Sequence, residues 1–102
     1  MDIETKIDFT APIELKTIFR TPGPDGNMVE YMSELLVTWD MIYTIQTYPF
    51  EDNWVKFPGP KFWVHLNGHL GTHLVLGSYD AFKIGLIEYS KYLESLDEDN
   101  GD

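Results

Sequence analysis

The chain reads as an α+β domain, a small, mainly antiparallel sheet of about four or five strands packed by a C-terminal amphipathic helix and a short helix near residues 28–36. Three observations carry this. Apolar and polar residues alternate with period two in several stretches before residue 77. The last stretch changes to helical spacing, with Phe82, Leu86, Tyr89, Leu93 and Leu96 stepping by four and three. At 102 residues, 43% hydrophobic and 15% aromatic, the chain can fill one core but not two.

Taken in order, Ile3, Thr5, Ile7 and Phe9 alternate with charged residues as a first strand that Pro12 ends. Ile13, Leu15, Thr17 and Phe19, alternating with Glu14, Lys16 and Arg20, form a second. Two prolines and two glycines make residues 21–27 a loop. Met28, Val29, Tyr31, Met32, Leu35 and Leu36 then follow helical spacing with Asn27 as N-cap; a strand hairpin across Pro24-Asp25-Gly26 is the competing reading. Val37, Trp39, Met41, Tyr43 and Ile45 line one face of the clearest strand, expected at the centre of the sheet. A short strand is expected at Trp54–Phe57. Lys61–Leu66 and Thr72–Leu76 pair as a hairpin, with Asn67-Gly68 as a two-residue turn. Ser78 caps the last helix. Gly85 costs about 1 kcal/mol against Ala in a helix interior, and so marks a close packing contact. The expected organisation is a single acidic domain over 1–96 and a disordered acidic tail over 97–102.

Seventeen acidic residues stand against seven basic ones, a net charge of −10. Residues 1–52 carry −7, residues 53–96 carry +1 and the tail −4. So negative a surface repels nucleic acid and fits poorly with an anionic membrane. Met1-Asp2-Ile3-Glu4 lacks the basic and apolar regions of a signal peptide, and a cytoplasmic protein (host cytoplasm if viral) is expected. Without cysteine there is neither a disulfide framework nor a thiolate ligand or nucleophile.

His65, His69 and His73 have helical metal-site spacing, but Gly68 and Gly71 place them on a hairpin, with His69 and His73 on one face and His65 on the other. No serine lies in a nucleophile elbow, and no phosphate-loop or dinucleotide motif occurs. No enzymatic activity, metal or cofactor is therefore expected. Trp63-Val64-x-Leu66, Asn67-Gly68, Leu76-Gly77-Ser78-Tyr79 and a helix bearing Tyr89 resemble the hairpin-then-helix core of AP2-type DNA-binding domains. The resemblance is one of local architecture, because Phe62–Tyr79 contains no Arg or Lys with which to read DNA.

These exclusions leave an acidic protein-binding module, expected to be an inhibitor occupying a basic, nucleic-acid-binding surface of a partner protein. In size and charge it is comparable to the anti-CRISPR and anti-restriction proteins of phages and mobile elements. The expected contacts are Glu30, Glu34, Asp40, Glu51 and Asp52, with Phe50 and Trp54 as apolar anchors. The alternatives are a small-molecule binder or small enzyme using a pocket of Trp39, Tyr43, Trp63 and a histidine, or an oligomerising structural domain, a homodimer being one form.

Overall fold

The structure is a computed structural model that describes residues 8–99. Its order is β1 (Ile13–Pro22), β2 (Met28–Val37), a 3-10 turn (Trp39–Met41), β3 (Ile42–Thr47), β4 (Lys61–Leu66), a 3-10 turn (Gly68–Leu70), β5 (Thr72–Leu76) and α1 (Tyr79–Asp99). The five strands form one antiparallel sheet in the order β2-β1-β5-β4-β3. The α+β class with a C-terminal helix is thus observed. The expected first strand lies outside the described residues except for Asp8 and Phe9, which precede β1 in a turn.

The expected helix over 28–36 is a strand. β2 pairs with β1 from Ile13↔Val37 to Pro22↔Met28 without a break, and the hairpin across Pro24-Asp25-Gly26 is the reading that holds. Gly26 takes φ +84, and its N–H donates to the Gly23 carbonyl at 3.0 Å. Asn27 caps no helix; its N–H closes a small turn onto Asp25 Oδ1 at 3.1 Å. The helical spacing arose because both faces of β2 are apolar: Met28, Met32 and Leu36 on one, Val29, Tyr31 and Leu35 on the other. Non-local pairing with β1 decides between the two periods.

The expected strand from Val37 to Ile45 is broken in two, since β2 and β3 are opposite edges of the sheet joined only by residues 38–41. That link spans about 18 Å at full stretch, less than four flat strand spacings of about 4.8 Å, and it contains a 3-10 turn. The sheet therefore curls until its edges converge at this end. The Thr38 hydroxyl donates to the Asp40 carboxylate, a local bond that competes with strand pairing. Tyr43 is the extra residue of a bulge between Ile42↔Leu66 and Thr44↔His65.

The β4–β5 hairpin is present, but its connection is longer than expected. Leu66 N–H donates to the Gly71 carbonyl at 2.8 Å, and Gly71 takes φ +81. The register becomes Val64↔His73 and His65↔Thr72. His65 and His73 still lie on opposite faces, while His69 sits in the turn instead of joining His73. Residues 54–57 form no strand and belong to a loop.

The sheet is covered on both sides. On one, Leu15, Val37, Phe62, Val64, Leu66 and Val75 pack with Tyr79 and Phe82 of α1. Here Trp39 lies against the helix at Gly85, where an added Cβ would stand 2.5 Å from the indole; the glycine is needed for the approach. Ser78 Oγ accepts the Ala81 N–H at 3.2 Å as the expected cap. The helix outruns the sheet, leaving Leu93 and Leu96 of the apolar stripe exposed, and its backbone continues through the first three residues of the expected disordered tail. On the other side, Ile18 and Leu74 are covered by Trp54, with Tyr48, Phe57, Trp63 and Leu76 around them.

Candidate partner-binding surface

The cover on the loop side is held by charge. Asp52 accepts the Gly59 N–H at 2.8 Å, the Trp54 N–H at 3.3 Å and Lys61 Nζ at 2.7 Å. The Gly59 N–H and then the Lys61 ammonium, acting against burial, hold its carboxyl at about 2. Lys61 Nζ also donates to the Gly59 carbonyl at 2.8 Å, and only 1% of its side chain is exposed. From β2, Glu30 accepts the Val55 N–H at 2.9 Å and the Lys56 N–H at 2.7 Å. Burial by itself would raise the Glu30 carboxyl; those two N–H groups and Arg20 outweigh it and keep it below the usual carboxylate range. Arg20 donates to both the carbonyl and side-chain oxygens of Asn53 at 2.8 Å, and its guanidinium lies 4.0 Å above the Trp54 ring.

The expected contact residues are thereby divided. Glu30 and Asp52 are consumed in fastening the loop, and Trp54 is a core residue, not an exposed anchor. Asp40 lies in the turn between β2 and β3, where its carbonyl accepts Asn67 Nδ2 at 2.8 Å. Glu51 and Phe50 are exposed on the β3–β4 loop, with Phe50 edge-on to Tyr48 at 5.3 Å. Glu34 is exposed on β2. On a helix Glu30 and Glu34 would be about 5–6 Å apart; on a strand they share a face at about 13 Å. The five carboxylates are thus spread over β2, the β2–β3 turn and the β3–β4 loop.

What the structure does bring together is a surface on the β1–β2 hairpin beyond the loop cover. Met32 and Leu36 are 42% and 63% exposed on the loop-side face of β2, beside exposed Glu34 and, on β1, exposed Glu14. Lys16 stands opposite Glu34 and Glu14 opposite Leu36. On the other face, past the reach of the helix, Phe19 and Tyr31 stack at 5.4 Å, both substantially exposed. β2 is an edge strand, and among the described residues no backbone group outside β1 bonds to its backbone. Exposed apolar residues here were hidden in the sequence by the helical reading, which placed most of them in the core; the clue was that a strand with this composition is apolar on both faces.

The aromatic pocket does not assemble as expected. Trp39 is under the helix, Trp63 on the opposite face and Tyr43 exposed on β3. A different groove of about 530 Å3 opens where β1 and β5 part beyond their two pairs, Thr17↔Val75 and Ile18↔Leu74. Arg20, Trp54, Trp63 and His73 line it. The Trp54 Nε1 is sealed from solvent with no acceptor among the described residues, so it offers the groove no donor, and Arg20 is already engaged by Asn53. The His65 ring bridges Thr72 Oγ1 at 2.8 Å and Gln46 Oε1 at 3.2 Å, and His73 Nε2 lies 2.9 Å from the Leu70 carbonyl. Both rings are explained by the hairpin. No helix among the described residues is long and apolar enough to cross a membrane. No protein-family model, curated protein or solved structure matches the chain.

Proposed function

We propose that the chain is an acidic protein-binding module whose contact surface is the β1–β2 hairpin, and that its partner presents a cationic protein surface. The observation that carries this reading is the grouping of exposed Met32 and Leu36 with exposed Glu14 and Glu34 on one face of an edge hairpin. Apolar area supplies affinity, and carboxylates around it select and steer a basic partner. The net charge of −10 acts in the same direction at longer range. Where the cationic surface is one that binds nucleic acid, docking excludes the nucleic acid and the module acts as an inhibitor.

The test compares capture from lysate at low and high salt by the parent chain and by a Glu14→Gln, Met32→Ser, Glu34→Gln variant. None of these side chains anchors the loop, so the circular dichroism of the variant should be native. Each exposed ion pair is worth about 0.2–1 kcal/mol and weakens as salt rises. The expected result is a salt-sensitive partner that the variant fails to retain. A native-like variant that retains it as strongly as the parent removes the hairpin from the site.

A further inference from the structure

Resting on that reading, we propose that the free edge of β2 receives an extended segment of the partner as a sixth strand, one whose alternate residues are cationic and apolar. The two edges of the sheet are unlike. β3 has six residues and carries the Tyr43 bulge, a feature that blunts an edge. β2 has ten residues, in unbroken register, with no Lys, no Pro and no bulge. Near Met28–Glu30 the loop residues Val55 and Lys56 stand beside it; from Tyr31 to Leu36 no strand among the described residues pairs with its outer edge. An edge strand turns the N–H and C=O of alternate residues outward, ready for a new ladder.

The side chains state what the incoming strand should be. On the loop-side face, its residues would neighbour Met32, Glu34 and Leu36, with Glu14 one strand behind Leu36; the two carboxylates take Lys or Arg. On the other face they would neighbour Tyr31 and Ser33, with Phe19 behind Tyr31, where apolar residues fit. A second copy of this chain is a poorer occupant, because it would bring its own Glu34 and a further −10 to an anionic edge.

The test uses a capped decapeptide of five Lys-Val repeats, the same peptide N-methylated at its four central residues, and a Glu-Val counterpart. Binding is followed by amide chemical shifts and hydrogen exchange of the full chain. The expected result is that the Lys-Val peptide protects alternate amides between Tyr31 and Leu36, and that N-methylation, which leaves charge unchanged, weakens binding by roughly tenfold or more. Equal binding by the methylated peptide would overturn strand addition and leave the acidic hairpin surface standing as a side-chain contact. Protection at β3 in place of β2, or of β2 without peptide in a chain that sediments as a dimer, would also overturn it. Equal binding by the Glu-Val peptide would remove the cationic preference on which both proposals rest.

Discussion

The two faces of this sheet are covered by different physics. On the helix side, a periodic apolar stripe lays Phe82 and Tyr79 on Phe62 and Val75, and one glycine lets Trp39 close against the helix. On the loop side, an irregular segment with few apolar contacts brings Trp54 onto Ile18 and Leu74, and several of its backbone N–H groups are satisfied by two carboxylates, Asp52 from within the loop and Glu30 from β2, some 25 residues away. A helix meets its backbone hydrogen bonds internally; a loop crossing a sheet must find acceptors elsewhere. Glu30 and Asp52 are those acceptors, which gives two of the chain's many carboxylates a structural task.

The largest test of this contrast is Trp54→Ala. If the loop cover is a full part of the folded unit, removing this buried indole should cost about 3–5 kcal/mol in urea denaturation. A loss below about 1 kcal/mol, the range of ordinary surface changes, would show that the loop opens independently and that the helix-side core carries the fold. Next comes Gly85→Ala. Helix propensity alone predicts a gain of about 1 kcal/mol, whereas overpacking against Trp39 costs about 1–3 kcal/mol. The 2.5 Å approach decides for a net loss. Adding Trp39→Phe should recover part of it, and a Gly85→Ala chain more stable than the parent would show that Trp39 is not seated there.

Acid should separate the two covers. Asp52 is held at about 2, and Glu30 is also lowered. A depressed carboxyl contributes stability that is complete above its unfolded value near about 4 and is lost as pH falls through its folded value. Between about pH 4 and pH 2, the loop should loosen, seen as a change in Trp54 emission in a Trp39→Phe, Trp63→Phe background. The helical circular dichroism should respond later. Asp52→Asn should loosen the loop at neutral pH and flatten its acid response. An acid transition identical in both signals, unaltered by Asp52→Asn, would mean that the carboxylates do not hold the cover.

Legibility in the sequence follows the same division. The C-terminal helix, its Ser78 cap, the close contact at Gly85 and the β4–β5 hairpin all depend on local periodicity and turn residues, and all were readable. Two features were not, and a third was readable only as an alternative. The strand nature of 28–36, present in the sequence as the competing hairpin reading, is decided by β1, whose partner residues are up to 22 positions away in the ladder. The break at Thr38 depends on β2 and β3 lying at opposite edges, a fact of topology with no local trace. The fastening of the loop pairs Glu30 with Val55 and Lys56, some 25 residues on, and an acidic residue destined for a backbone N–H looks the same in sequence as one destined for solvent. Glu30 and Asp52 therefore read in the sequence like Glu34 and Glu51, and Trp54 like the exposed Phe50, although the first of each set fastens or fills the loop cover.

Glu30 and Glu34 reduce the contrast to one strand and one chemical group, and they give the smallest effect. Both face the loop side of β2, four residues apart, but the Glu30 side chain is 9% exposed with two backbone N–H donors, while Glu34 is exposed and faces Lys16 without a close ion pair. Glu34→Gln should change stability by no more than about 0.5 kcal/mol, the usual limit for a surface site without partners. Glu30→Gln keeps the shape but replaces a charged acceptor of the Val55 and Lys56 N–H groups by a neutral one, so it should destabilise measurably more, and the excess should vanish in acid where the carboxylate is protonated anyway. Partner binding should rank them in reverse, with Glu34→Gln weakening capture directly and Glu30→Gln acting only as far as the loop shifts. Equal stability losses from the two changes would erase the distinction between the carboxylate that holds the fold and the one left free for a partner.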